Sequence, residues 1–239
     1  MSLDRSWQFV GGLGSLPYRL FDALRRGLNK QLVRYLMQQV ADAKTAPSIR
    51  VIEAGCGTGF ALSLMEGYPG VTLAVALDVD ESALREGKRR KPDLVAVVGN
   101  LFQLPFRDNA FDLVYNSSTV EHLADPGAAA CEMQRVCHEN GRVFIGVPYL
   151  HGPLAFQRAI SNTRLGVWLG PVFTRKAVRE LLQRCHLRPL TSITYFFRFF
   201  IGVLAEKRSL PPPLIKGDSE GSVRSEGRAP VPAMAGANT

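Results

Sequence analysis

The stretch VIEAGCGTGF, Val51 to Phe60, runs an apolar strand into an acid and then three glycines at alternate positions. Glycine takes turns that other residues resist and lets a ligand approach the backbone with no Cβ in the way. A strand that enters such a turn and leaves it as a helix is the ordinary cradle for a nucleotide. The question it sets is which nucleotide: a dinucleotide, a triphosphate, or a nucleoside without phosphates.

From Ile49 onward the chain keeps the same rhythm. IRVIEAG is a short, nearly continuous apolar run, as in a buried parallel strand. GFALSLMEGY follows as a helix ending near Gly67, VTLAVALDVD as the second strand, and ESALREGKRR as a polar helix capped by Asp80 or Ser82. DLVAVVGN, FDLVYNSS and GRVFIGVP are the third to fifth strands, with a helix from about Pro126 to His138 before the fifth. This alternation predicts βαβ units: a parallel sheet covered by helices on both faces. Beyond Pro148 the rhythm lapses, and residues 149–173 read as an irregular insertion. TRKAVRELLQRC is an amphipathic helix with Thr174 as its N-cap, and PLTSITYFF and FIGVLAEKR are two closing strands. Before the sheet, apolar residues at Leu20, Leu24, Leu28, Leu32, Leu36 and Val40 make Pro17–Ala43 an amphipathic helix, which Gly27 and Asn29 weaken and could split. The chain thus divides into a helical segment (1–45), a sheet domain (46–210) and a Pro-, Gly- and Ser-rich tail (211–239) that buries too little to order.

The four cysteines, Cys56, Cys131, Cys137 and Cys185, show no CxxC pair and no histidine at ligand spacing from two of them, so no metal is expected. They read as free thiols of a reducing, cytoplasmic compartment, with Cys131 and Cys137 in the core. No apolar run is long enough to span a membrane. Charge is uneven: seven basic against three acidic residues in 1–45, nine against thirteen in 46–150, thirteen against five in 151–239. The basic flanks suit an anionic membrane or nucleic acid, or are simply a solvated arginine-rich surface.

Three kinds of loop compete for VIEAGCGTGF. A triphosphate loop needs GxxxxGK and then Ser or Thr, and no Lys follows these glycines. A dinucleotide loop needs GxGxxG/A, and its third small position is occupied by Phe60. The remaining pattern, Glu53-Ala-Gly55-Cys-Gly57-Thr-Gly59, resembles motif I of the class I S-adenosylmethionine (SAM) dependent methyltransferases. Further segments resemble the small-molecule, type 11 branch of that family in order and spacing. They are Asp78 at the end of the second strand, VVGNLFQLPFRDNAFDLVYNSS, HLADPGAAACEMQRVCHENGRVFIGVP and FIGVLAEKR. The likeness covers about residues 49–207. It departs at Asn100, where the family usually has Asp, and at the turn CHENGR, which is one glycine short.

The resemblance implies a Rossmann-like, doubly wound α/β sheet of seven strands, mostly parallel with an antiparallel last strand. It implies SAM as methyl donor, bound by Glu53, Gly55, Cys56, Gly57, Gly59, Asp78, Val79, Asn100, Leu101 and Asn116. Asp78 would accept the ribose hydroxyls, while Asn100 and Leu101 would flank the adenine. Glu53 either meets the cationic methionine end or caps the following helix, and Asn116 either joins it there or forms an Asx turn. Where the acceptor has a proton to lose, His122 and His151, just past strand ends, are the candidate bases. Each could equally be a loop histidine bonded to backbone. Phe9, Tyr18, Phe21, Tyr149, Leu150, Phe156, Trp168 and Phe173 in the acceptor-side segments suit a small apolar or lipid-like acceptor, with peripheral attachment to an anionic membrane alongside. The competing readings are a non-catalytic SAM-fold binding module and a nucleic-acid methyltransferase. The latter is disfavoured by NSST where amino-methylating enzymes carry an N/D-P-P-Y/F stretch.

Overall fold

The computed structural model describes residues 15–42, 48–156 and 170–207. The 211–239 tail lies outside the described residues, as do Phe9, Trp168 and the side chains of Tyr18, Phe21 and Phe156.

The chain opens with helix α1 (Ser15–Ala41) and continues through β1 (Ile49–Ala54), α2 (Phe60–Met65), β2 (Val71–Asp78), α3 (Glu81–Arg90), β3 (Val95–Val98) and β4 (Phe111–Ser117). After a 3-10 turn (Val120–His122) come α4 (Pro126–Val136), β5 (Cys137–Pro148), a second 3-10 turn (Pro153–Phe156), α5 (Arg175–Arg184), β6 (Leu187–Tyr195) and β7 (Phe200–Lys207). The seven strands form one sheet in the order β3-β2-β1-β4-β5-β7-β6. Neighbours from β3 to β5 are parallel, and β7 runs antiparallel to both β5 and β6. This is the doubly wound sheet with an antiparallel last strand that the alternation and the family resemblance lead one to expect.

Side-chain parity along β1 distributes the strand between two cores. Val51 packs with Leu62, Met65, Leu84 and α1, whereas Ile52 and Ala54 pack with Met133, Val136, Val178 and Leu182. Each sheet face is therefore roofed by its own helices. On the first face α1 presents Leu32, Val33, Leu36, Met37 and Val40, all buried. That stripe keeps α1 continuous through Gly27 and Asn29, the two residues that weaken its middle. A mid-helix glycine costs roughly 1 kcal/mol, less than the burial of one such side chain, about 1.5–3 kcal/mol.

Two helices begin as their sequences indicate. Asp80 Oδ1 accepts from the backbone N–H of Ser82 and Ala83, and Thr174 Oγ1 accepts from Ala177. The LPFRDNAFD loop is fastened from α4: Arg135 donates to the carbonyls of Leu104 and Phe106 and to the carboxylates of Asp108 and Glu132. Glu132 in turn accepts the Leu104 N–H at 2.8 Å.

The cysteines depart from expectation. Cys131 on α4 and Cys185 after α5 are joined in a disulfide, with Cα atoms 4.9 Å apart; only Cys56 and Cys137 are free. Of the two cysteines expected in the core, Cys137 is there and Cys131 is not, for a geometric reason. Six residues of helix turn about 240°, so the two cannot share a face, and Cys137 already belongs to β5. Cys137 is buried while Cys131 is exposed. No helix among the described residues is long and apolar enough to cross a membrane.

The disulfide spans 54 residues, for which chain entropy gives about 4 kcal/mol and measured bridges typically 2–4 kcal/mol. Replacing Cys131 and Cys185 together with serine is expected to lower unfolding free energy by about 2–4 kcal/mol in urea titrations. Reductant should weaken the unsubstituted protein by a similar amount and leave the double variant unchanged.

Candidate active site

All five parallel strands end on the same edge, and β1 and β4, at the middle of the sheet, carry most of the candidate residues there. At this edge the glycine turn leaves β1 with Gly55, Gly57 and Gly59 at φ of 78°, 55° and 68°, in the left-handed region. Gly55 has a second requirement: a Cβ on it would stand 2.5 Å from Thr119 Cγ2. Gly57 differs, because a Cβ there would meet nothing within 4 Å. Its bare backbone faces open space, as a ligand cradle requires.

The turn is bonded to the end of β2. Gly55 and Cys56 donate their N–H groups to Leu77 O at 2.7 and 3.0 Å, and Gly57 donates to Asp78 Oδ2 at 2.7 Å. Asp78 Oδ1 accepts from Asp80 N at 2.9 Å. With one backbone donor on each oxygen, the carboxylate is fixed in orientation and keeps a lone pair on each oxygen for a further donor. Val79 beside it is 52% exposed.

Glu53 shares the parity of Val51, and its buried carboxylate accepts the N–H of Leu62 at 2.9 Å in the first turn of α2. That is the helix-capping contact anticipated as one of two roles. Burial, with the charges of Glu53 and then Asp78 added, pushes the Cys56 thiol far above its usual range. Cys56 is accordingly no nucleophile.

Asn116, fully buried at the end of β4, donates Nδ2–H to Ala54 O at 2.5 Å, while its Oδ1 has no partner. Thr119 Oγ1 donates to Gly55 O at 2.9 Å, completing the link between the two strand ends. Asn100 is exposed, and its Oδ1 accepts Phe102 N at 2.9 Å in an Asx turn; Leu101 is buried in the core.

The two histidines are not equivalent. His122 ends the 3-10 turn after β4, is half-buried, and has its pKa lowered by desolvation. His151 is exposed and rests edge-on against Tyr149, 5.6 Å between ring centroids. It lies on the turn beyond β5, where Tyr149 N donates to Phe199 O. The β6–β7 turn next to it carries Phe196, Phe197 and Arg198 in succession at positive φ, and Phe197 is 65% exposed. Each such residue costs roughly 1–2 kcal/mol, so the turn presents an aromatic tip at some conformational expense. Beneath it Tyr195 is buried and its hydroxyl lies 2.8 Å from Ser117 Oγ.

These bonds tie Gly55, Cys56 and Gly57 to the end of β2 with Asp78 and to the end of β4 with Asn116, while Gly59 N donates to Cys56 O in the same turn, Glu53 is bonded to α2 and His151 stands on the neighbouring turn. Sequence reading missed Thr119, for which no periodicity or motif gives a signal, and Glu121, which adjoins a candidate histidine. Glu121 is 3% exposed, and its Oε2 has no hydrogen-bond partner. Among the described residues no cluster of His, Cys, Asp or Glu could hold a metal ion.

Residues 52–145 match the model of a methyltransferase domain family. The demethylmenaquinone methyltransferase of Beutenbergia cavernae is 32% identical over 171 residues, 71% of this chain and 70% of that protein. The chain belongs to the class I SAM-dependent methyltransferases. A second demethylmenaquinone methyltransferase, from Renibacterium salmoninarum, is 34% identical over 146 residues, and the match spans 60% of each chain. Among solved structures, a geranyl diphosphate methyltransferase in complex with SAM superposes with a TM-score of 0.64. At 15% identity, over 83% of this methyltransferase and 93% of that chain, the likeness is one of fold.

The Cys56 environment makes a direct forecast. With its thiol held protonated, alkylation of Cys56 by iodoacetamide at pH 8 is expected to run at least about tenfold slower than that of free glutathione. Peptide mass mapping over time would measure it.

Proposed function

We propose that this methyltransferase carries a methyl group from SAM to a small, apolar, lipid-like acceptor of the quinone kind. The observation that carries the donor half is the clasp of Gly57 and Asp78 beside the unpartnered Oδ1 of Asn116. Bound SAM supplies a methyl group on a sulfonium, already a good leaving group. In this reading Asp78 accepts the ribose hydroxyls with its free lone pairs, and the open face of Gly57 lets the cosubstrate lie against backbone. Asn116 Oδ1 accepts from the ammonium of the methionine end. A buried carbonyl left unpaired costs about 1–3 kcal/mol, and a charged donor placed there offsets that cost. Glu53 adds negative potential from behind the turn while remaining bonded to α2. Cys56 and Gly59 line the same turn, and Val79, Asn100 and Leu101 border the adenine.

The acceptor half rests on the aromatic lining at the β5–β7 end and on the relatives' names. Tyr149, Tyr195, Phe196 and Phe200 pack against one another or their neighbours there, with Phe197 outward. These surfaces suit an aromatic ring with an apolar tail. Holding that ring in line with the methyl can supply on the order of 7–11 kcal/mol of the barrier in ideal cases. A hydroxylated ring loses a proton as it gains the methyl, and in this reading His122 receives it. The same aromatic tip and the basic flanks support attachment to an anionic lipid surface.

Two measurements check this. Asp78→Ala removes the ribose acceptor and the Gly57 anchor, and is expected to weaken SAM binding by about 1.5–3 kcal/mol in isothermal titration. Unchanged affinity would refute the role of the β2 carboxylate. In the second, methyl-labelled SAM is incubated with demethylmenaquinone in detergent micelles, in quinone and in reduced form. Label is expected in the lipid extract with the reduced form. SAM binding without label in either would refute the quinone class of acceptor.

A further inference from the structure

One buried acid at the carboxyl edge of the sheet has no use so far. Glu121 stands between Val120 and His122 on the 3-10 turn after β4, its side chain 1% exposed, its Oε2 without a partner. Its Oε1 lies 4.0 Å from His122 Nε2. An unpaired buried carboxyl is costly to maintain, and no other cation among the described residues pairs with it. The titratable groups facing it are His122 on its own turn and Tyr195 from β6. The latter phenol is itself pushed up by burial and further by the Glu121 charge. Across from them lies Gly170, buried, where the acceptor-side segment returns to the sheet. A Cβ at Gly170 would stand 2.9 Å from His122 Nδ1 and 3.3 Å from Glu121 Cγ. One imidazole nitrogen therefore faces the carboxylate and the other faces the acceptor-side segment.

We propose that Glu121 is the positioning residue of a Glu121–His122 ion pair, its charge 4.0 Å away favouring the proton on Nε2 of His122 and leaving Nδ1 as the base toward the acceptor. This rests on the methyl-transfer reading above for its purpose, though not for its geometry. Burial pushes the Glu121 carboxyl up to about 8 and pulls the His122 imidazole down, so each alone avoids charge. Side by side in a desolvated turn, the ionised carboxylate favours the imidazolium and restores basicity that burial removed. In the transfer the acceptor atom forms its bond to the methyl carbon, and the S–CH3 electron pair stays on sulfur. The acceptor's proton passes to His122 Nδ1, and the resulting imidazolium is held against Glu121. The orientation logic is that of a carboxylate behind a catalytic histidine, built here from sequence neighbours on one turn.

The test uses proton NMR of the histidine rings in the full chain from about pH 5 to 10, with His122 assigned by His122→Asn among the four histidines. In the unsubstituted protein the His122 signal should titrate in two steps, the upper one reporting Glu121. In Glu121→Gln a single step should remain, with its midpoint lowered by a unit or more, a tenfold or greater loss of proton affinity. Glu121→Asp, which keeps the charge, should restore much of it. A single step in the unsubstituted protein overturns the pair even if neither variant folds. Equal midpoints in the unsubstituted protein and Glu121→Gln overturn it too. Titration of SAM into the same samples separates the two readings: no SAM binding by the unsubstituted protein would refute methyl transfer and leave the pair standing.

Discussion

The hydrogen bond from Gly57 N to Asp78 Oδ2, 2.7 Å long, joins the turn after β1 to the last residue of β2. The left-handed turn directs the Gly57 N–H away from the strand ladder, and a buried donor without a partner would cost about 1–3 kcal/mol. Asp78 supplies that partner as a charged acceptor, the stronger kind. One short contact thereby sets the height of the glycine turn, the orientation of the carboxylate and the local negative potential. The Cys56 thiol is raised by burial first and by the Glu53 charge next, and this field adds to both. The parallel sheet makes the contact available, because β1 and β2 run side by side and finish together.

The middle of the sheet then adds chemistry that backbone pairing cannot. Asn116 uses its amide to reach Ala54 O, so that β4 and β1 stay joined one step beyond their ladder. Thr119 repeats the device at Gly55 O. Between them these side chains fix the two strand ends to each other and leave one buried carbonyl oxygen without a partner. Preorganisation of this kind lets a cosubstrate meet donors and acceptors already in place.

Much of this was legible from residue order. The glycine spacing, the acid nineteen residues on, and the caps at Asp80 and Thr174 are local rules, and local rules survive packing. Phe60 in place of a third small residue separated this loop from the dinucleotide kind. What stayed hidden depends on who packs against whom. Nothing local tells that Cys131 and Cys185 meet, because their helices are brought together by the sheet. Nor does Gly27 reveal that the far half of α1 buries enough to carry it through. Glu121 gave no signal at all, since burial of a single turn leaves no period to read. For Glu53 both roles were open from sequence, and parity on β1 decided that α2 receives one of its oxygens.

The Cys131–Cys185 bridge has a bearing on how such an enzyme can diversify. Its two cysteines lie on either side of β5 and of the whole 149–173 segment, so the chain between them is a closed ring hung from α4 and the end of α5. The entropy of closing a ring rises only logarithmically with its length, about 0.6 kcal/mol for each doubling. Residues can therefore be added or removed within the ring at small thermodynamic cost while its ends stay covalently fixed. On the proposed reading, in which 149–173 serves the acceptor and the ends of β1, β2 and β4 serve the methyl donor, a lineage could in this way exchange one acceptor for another.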